Sequence, residues 1–357
     1  MRPVGKRLGL AAIGLALGLA CGEALLRLVW HRPKRSPRYA DHPVLGHTYP
    51  RGVEQTAPRH RRFNREGFQD WEHATDKPKG VVRILLLGDS FVAGTGVHFA
   101  ETLPRALERR LRSASPGAPA FEVISMACDG YGTAQQYLAL RHLGLRYRPD
   151  AIVLAFYWND FNDNSVRLVA NNLPRPFFVL DEHGNLFARP MWRPPRISFE
   201  EYSALWILDW TRYGYAILSS RRRYRPIAGQ EEEYSKAKGL TAALLGEMSS
   251  IARRHRASFT IVGVPGRGQL DAGRNRLAAD ARRFLLDTSR ALGAPLVDLE
   301  PVFRESMARE GLRVDDLFLA EPDTHWNARG HRLAAQAIAA GLERTPPRPP
   351  LGRGSLR

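Results

Sequence analysis

The sequence is short of cysteine and of acid. Only two cysteines, Cys21 and Cys128, occur in 357 residues. Cys21 lies in an apolar N-terminal run and Cys128 far along the chain, which argues against a disulfide framework. A chain of this length can bury a large core without one. Asp and Glu number 36 against 53 Lys and Arg, a formal charge of +17. The excess is nearly all arginine, scattered in short clusters at 105–112, 221–225, 253–256 and 282–283 with no dense basic tract beside paired aromatics. That scatter argues against a nucleic-acid partner. It fits solvated helix faces, or attraction to anionic lipid or acidic polysaccharide. With 44% hydrophobic and 25% charged residues, the composition is that of an ordinary globular protein.

What the chain does have is one stretch around which the rest is arranged: V-R-I-L-L-L-G-D-S-F-V-A-G-T-G-V at 82–97. The aliphatic run 82–87 reads as a strand buried on both faces, the mark of a central parallel strand. Gly88 permits a sharp exit, and Asp89 and Ser90 fall at the strand's carboxyl end, where open α/β sheets place their chemistry. Ser90 therefore stands where a nucleophile would. Gly-Asp-Ser also suits a plain strand-to-helix turn with a capping Asp or Ser.

Taken in order, residues 1–30 read as an N-terminal signal anchor, a transmembrane helix. Arg2, Lys6 and Arg7 precede an apolar run from Leu8 to Trp30 broken only by Glu23 and Arg27, which are four apart and able to pair. No small-x-small cleavage site follows it. Residues 31–80 are polar and rich in Pro and Arg, a linker and lead-in segment, with N-R-E-G-F at 64–68 as a turn element docking on the sheet. From 81 to 344 strands and helices alternate. Strands are expected at 82–87, 121–125, 151–157, 258–264 and 295–299. Helices are expected at 102–113, 133–145, 232–256, 274–292 and 328–342. The alternation predicts an α/β fold with a parallel sheet and helices on both faces. It breaks at about 161–230, an insertion holding Trp192, Tyr202, Trp206, Trp210, Tyr213 and Tyr215, which suits either a lid or a subdomain with its own core. The tail 345–357, rich in Pro, Arg and Gly, is expected to be disordered.

A nucleophilic serine needs a base, an orienting acid and oxyanion donors. The base candidate is His325 in E-P-D-T-H-W-N-A-R-G-H, with Asp323 two residues earlier on the same side of an extended loop. His331 competes, but it falls inside a helical pattern where a structural role fits better. Donor candidates follow the next two strands: Gly130 in A-C-D-G-Y-G, whose N–H can approach a substrate closely, and the Asn159 amide in Y-W-N-D. The third donor is the N–H of Ser90. Each alone has a bland reading, as a loop glycine, a turn asparagine or a surface histidine.

Together, G-D-S, the glycine loop, N-D and D-x-H resemble the SGNH (GDSL-type) hydrolase family over roughly 83–342. The lead-in N-R-E-G-F and the anchor's E-A-L-L-R-L also resemble its membrane-anchored bacterial members. The resemblance implies a flavodoxin-like three-layer α/β/α domain with a mainly parallel five-stranded sheet. By motif it implies Ser90 as nucleophile, His325 as base, Asp323 as acid, and Ser90, Gly130 and Asn159 as the oxyanion hole. Three positions depart from the pattern. Tyr157 stands where the family usually has glycine, two residues before the Asn. The spacing is D-x-H rather than D-x-x-H, as in the alginate-acetylating branch, which leaves open a Ser-His dyad with a backbone acceptor. Gly132 is an alternative to Gly130. The G-x-S-x-G elbow of the larger α/β-hydrolase fold is absent around Ser90.

The function expected is a serine-dependent esterase acting on ester, including O-acetyl, groups through a covalent acyl-enzyme, with no cofactor and no metal. The alternatives are an O-acyltransferase modifying a cell-envelope or secreted polysaccharide, and a membrane-tethered non-catalytic binding protein on the same fold. The partners expected are an ester-bearing substrate such as an acylated carbohydrate, and a membrane through the N-terminal helix. The expected location is membrane-anchored, with the catalytic domain periplasmic or extracellular. Nothing in the residues specifies an oligomeric state.

Overall fold

The computed structural model describes residues 4–29, 38–113, 120–169, 173–193, 230–272, 276–321 and 323–345. The chain divides into two compact units, 1–37 with 194–228, and 38–193 with 229–357. Of the first unit one helix is described, α1 (Val4–Val29), on which Leu10, Ile13, Leu15, Leu17 and Leu19 are exposed. Among the described residues no helix is long and apolar enough to cross a membrane, so the structure gives the expected transmembrane span no support. Glu23 and Arg27 interrupt the apolar run. The aromatic cluster at Tyr202, Trp206, Trp210, Tyr213 and Tyr215, and the tail beyond residue 345, lie outside the described residues.

The second unit contains, in chain order, strands β1 (Ala40–His42), β2 (Gly46–Thr48), β3 (Glu54–Gln55), β4 (Arg61–Arg62) and β5 (Val81–Gly88), then helices α2 (Ser90–Ala93) and α3 (Leu103–Arg112). There follow β6 (Ala120–Ala127), α4 (Thr133–His142), β7 (Ala151–Phe156), α5 (Asp160–Asp163), β8 (Arg175–Leu180), β9 (Leu186–Trp192), α6 (Glu231–Arg254) and β10 (Ser258–Gly263). The last elements are α7 (Arg267–Ala272), α8 (Arg276–Leu292), β11 (Leu296–Asp298), α9 (Leu299–Glu310) and α10 (Ala328–Arg344).

Five strands pair in the order β11-β10-β7-β5-β6, every pairing parallel. In sequence rank this is 5-4-3-1-2, the doubly wound order whose direction of winding reverses between the first and third strands. The crevice at the carboxyl ends of β5 and β7 is therefore the topological switch point. Helices α3, α9 and α10 form one layer against the sheet, and α4, α6 and α8 the other. β5 is the hub: Ile84, Leu85, Leu86 and Leu87 are fully buried between the layers. Arg83 lies in the same strand and is also fully buried. Its guanidinium is satisfied by Glu122 (2.6 Å) and by the carbonyls of Ala74 (2.7 Å), Thr75 (3.0 Å) and Tyr147 (2.9 Å). A buried guanidinium without such partners would be strongly unfavourable.

The carbonyls of Ala74 and Thr75 belong to the lead-in, which from residue 38 folds with the sheet. β1 and β2 pair antiparallel, as do β3 and β4. Asn64 Oδ1 accepts from the N–H groups of Glu66 (3.1 Å) and Phe68 (2.9 Å), closing the N-R-E-G-F turn. In the insertion, β8 and β9 form an antiparallel hairpin. Helix α9 was not expected from the sequence. Its signals are Asp298, which caps its start by accepting from Glu300 N–H, and Gly311, which ends it in the left-handed region.

His331 is 1% exposed in α10 and packs edge-on to Trp326, and neither ring nitrogen has a hydrogen-bond partner among the described residues. Burial, aided by the nearby His325, lowers its pKa from 6.5 to about 3. Below pH 6.5 the unfolded chain protonates this group and the folded chain does not, so stability is lost as pH falls from 6.5 towards 3. By pH 4 the loss is on the order of 2–4 kcal/mol at about 1.4 kcal/mol per pKa unit. Urea titrations of wild type and His331→Leu at pH 7 and pH 4 check this: the acid-induced drop in midpoint should be smaller in the variant.

Candidate active site

Gly88 ends β5 where a Cβ would run into the Val92 side chain, so the chain turns tightly into α2. Asp89 caps that helix, its Oδ1 accepting from Phe91 N–H at 2.9 Å. Ser90 is the first helical residue and is partly exposed. Gly-Asp-Ser is thus a capped strand-to-helix turn, and it presents Ser90 at the strand end. Burial raises the Asp89 pKa from 3.8 to about 7.

The D-T-H-W-N segment is a tight structure in its own right. Asn327 N–H donates to Leu317 O and Leu319 N–H donates to His325 O, at 3.0 and 2.9 Å, closing a turn ahead of α10. Asn327 Oδ1 caps α10 by accepting from Arg329 and Gly330 N–H. Trp326 is fully buried, with its Nε1–H on Pro265 O at 3.3 Å. Between these anchors Asp323 Oδ1 accepts from both the backbone N–H of His325 (3.0 Å) and its ring Nδ1 (2.6 Å). This is an Asx turn, and it explains how D-x-H spacing suffices. With Nδ1 protonated toward the carboxylate, Nε2 carries the lone pair, and it lies 2.8 Å from Ser90 Oγ. Burial pulls the His325 pKa down, but the hydrogen bond and charge of Asp323 pull it up, and the net is above 6.5. The Asp323 pKa is lowered: its partial burial acts against ionisation and the His325 contacts outweigh it.

Gly130 follows β6 in the turn closed by Tyr131 N–H on Cys128 O (3.2 Å), at φ 71°, which favours glycine. No hydrogen bond from its N–H is found among the described residues, whereas the Gly132 N–H donates to Gln135 Oε1 (3.3 Å). Of the two glycines, Gly130 is the one with a donor to offer. Asn159 precedes α5, and its Nδ2 donates to Asp163 Oδ2 at 3.0 Å, which fixes the orientation of the amide. Tyr157 packs on Phe91 with ring centroids 4.7 Å apart, and a Cβ on Gly266 would lie 2.5 Å from its hydroxyl.

Residues outside the sequence motifs hold this frame. Asp129 Oδ1 accepts from Tyr49 Oη (2.6 Å) and Thr95 Oγ1, and its Oδ2 from Arg38 (2.9 Å) and Tyr39 Oη (3.0 Å). Burial acts against the Asp129 carboxylate, but Arg38, Thr95 and Tyr49 hold its pKa down at about 2. Fully buried Arg175 of β8 donates to Asp163 Oδ1 (2.9 Å), Asp163 O (3.1 Å) and Gly130 O (3.3 Å). His47 Nε2 lies 2.9 Å from Asp129 O, and its Nδ1 lies 3.0 Å from Pro174 O. These partners come from segments 12 to 127 residues away, and no local pattern marks them. Only Asp163 carried a signal, four residues after Asn159 on a helical turn. Among the described residues no group of His, Cys, Asp and Glu is placed to hold a metal ion.

Several solved structures are similar to this chain. An acetyl xylan esterase, AlAXEase, is 13% identical, covering 73% of this chain and 100% of its own, with a TM-score of 0.44. The Geobacillus stearothermophilus acetylxylan esterase Axe2 is 12% identical, covering 73% and 94%, at 0.45. TesA is 14% identical, covering 73% and 98%, at 0.42. No curated protein matches the sequence. Residues 86–333 match the GDSL-like Lipase/Acylhydrolase family, a span that runs from β5 into α10. The chain belongs to that family and is an SGNH-type serine hydrolase.

Proposed function

We propose that the protein is a carboxylic ester hydrolase that uses Ser90, His325 and Asp323 as a catalytic triad. The observation that carries this reading is the continuous chain from Asp323 Oδ1 through His325 to Ser90 Oγ, with contacts of 2.6 and 2.8 Å. Ser90 Oγ attacks the ester carbonyl carbon while His325 Nε2 takes its proton. The imidazolium formed is stabilised by the Asp323 carboxylate. The oxyanion is held by the N–H groups of Ser90 and Gly130 and by the Asn159 amide. Collapse expels the alcohol, which receives the proton from His325. Water, deprotonated by the same imidazole, then attacks the acyl-enzyme and frees the acid.

The substrate class is an ester of a small acyl group, such as an O-acetyl group on a carbohydrate. Tyr157 supports this, because its ring fills space against Phe91, beside the nucleophile, that glycine would leave open. In the same reading α1 attaches the enzyme to a membrane, with the hydrolase unit on the periplasmic or extracellular side. Its exposed leucines and Ile13 are the support for attachment.

Turnover of p-nitrophenyl acetate by the full-length chain should be lost in Ser90→Ala, and p-nitrophenyl octanoate should be at least about tenfold poorer by kcat/KM. Asn159→Ala should lower kcat about a hundredfold, roughly 3 kcal/mol of barrier, with little change in KM. An unchanged kcat would remove Asn159 from the site. Since His325 acts as the neutral base and its pKa is raised, kcat/KM should climb with pH along a one-proton limb centred above 6.5. Asp323→Asn should lower the rate by about a hundredfold or more and move that limb to lower pH.

A further inference from the structure

Two buried residues that are absent from every motif converge on the proposed oxyanion donors. His47 comes from β2 in the lead-in and Arg175 from β8 in the insertion. Both are at most 1% exposed. We propose that His47 and Arg175 are positioning residues that orient the peptide units around Gly130 and the Asn159 amide toward the substrate oxyanion. The assignment rests on the esterase reading above.

The argument for His47 is one of peptide geometry. The carbonyl of Asp129 and the N–H of Gly130 belong to a single trans peptide unit, so they point in opposite directions. A donor that holds the carbonyl on one side fixes the N–H on the other. His47 Nε2 is 2.9 Å from that carbonyl. Burial lowers the His47 pKa, so the neutral ring has one N–H to give. Gln135 Nε2, which donates to Leu45 O at 2.9 Å, also lies 3.5 Å from His47 Nδ1. Nδ1 also faces Pro174 O at 3.0 Å, so two carbonyls compete for the ring's one proton. Since among the described residues no donor faces Nε2, the Gln135 amide beside Nδ1 favours the tautomer with the proton on Nε2, directed at Asp129 O. Without it the peptide is free to flip, since Gly130 has no Cβ to resist rotation. The flip would turn a carbonyl, not an N–H, toward the substrate.

Arg175 completes the arrangement from the next peptide along. Its Nη2 donates to Gly130 O at 3.3 Å and its Nη1 to Asp163 Oδ1 at 2.9 Å, while Asp163 Oδ2 holds Asn159 Nδ2 at 3.0 Å. One planar guanidinium thereby sets two donors in register, as its fork geometry allows and a lysine ammonium does not. The second Nδ2 proton of Asn159 is left for the oxyanion.

The test compares kcat, KM and thermal midpoint of the full-length chain as wild type, Ser90→Ala, His47→Asn, His47→Gln and Arg175→Lys, using p-nitrophenyl acetate and burst titration of active sites. Glutamine carries an amide NH₂ near the position of imidazole Nε2, and asparagine carries one near Nδ1. The expected result is a 10- to 100-fold lower kcat in His47→Asn with KM within about twofold and an unaltered midpoint. His47→Gln should restore kcat to within about threefold of wild type, and Arg175→Lys should lose at least tenfold in kcat. A wild-type kcat in His47→Asn overturns the role of His47, as does an equal loss in both His47 variants accompanied by a lowered midpoint. A wild-type kcat in Arg175→Lys overturns that of Arg175. If the wild type itself shows no Ser90-dependent turnover, the esterase reading fails and this assignment fails with it.

Discussion

The hydrogen bond between Ser90 Oγ and His325 Nε2, 2.8 Å long, joins residues 235 positions apart. Its existence constrains the whole hydrolase unit. Ser90 can be presented only if β5 stops at Gly88, and β5 can be a central strand only if helices cover both its faces. His325 reaches Ser90 because Trp326 is sunk into the core beneath it and Asn327 starts α10 immediately behind it. Phe91 links the two halves, its ring 5.2 Å from His325 and 4.9 Å from Trp326. The parallel order of the sheet puts both at the switch point between β5 and β7, where the ends of the strands diverge and leave a crevice.

Around that crevice the protein buries charge rather than excluding it. Asp129, Asp163 and Arg175 are all removed from water, a costly arrangement unless each charge meets partners of the right kind. They do meet them: two tyrosines, a threonine and Arg38 surround Asp129, and Asp163 sits between Arg175 and Asn159. Apolar packing of equal volume would be at least as stabilising, but it would not set the direction of a peptide or an amide. Hydrogen-bonded networks in a low-dielectric interior do set direction. The lead-in and the insertion thus differ from simple covers of the sheet, since each contributes a buried residue to the frame that carries Gly130 and Asn159.

The layered α/β architecture was legible because its elements are written in period. Aliphatic runs such as 84–87 and 151–156 read as buried strands, and the helical spacing of Leu103, Leu107 and Leu111 gives α3. That Ser90, His325 and Asp323 come together was legible because strand ends and a short polar loop ahead of a helix concentrate the residue types that nucleophilic catalysis needs. The local rule used for Asp323 was incomplete: the carboxylate reaches the ring through an Asx turn, not through the alternation of an extended strand. What sequence did not reveal is what depends on long-range contact. Arg83 was read within a buried run, and what allows its burial, the carbonyls of 74–76 brought beneath it, lies outside that run. His47 and Arg175 read as unremarkable members of polar segments, since nothing near them in sequence states that both end beside Gly130. The transmembrane span read at 1–30 rested on a basic start, an apolar run that Glu23 and Arg27 interrupt, and a resemblance, and no described helix supports it.

The central claim is that Ser90 is the nucleophile. The most direct measurement is covalent trapping: the full-length chain is reacted with a fluorophosphonate, digested, and the modified residue located by peptide mass spectrometry. The account predicts a single stoichiometric adduct on Ser90, abolished by Ser90→Ala and slowed by competing ester. A folded wild-type protein that takes no adduct, or one whose adduct persists in Ser90→Ala, would contradict it.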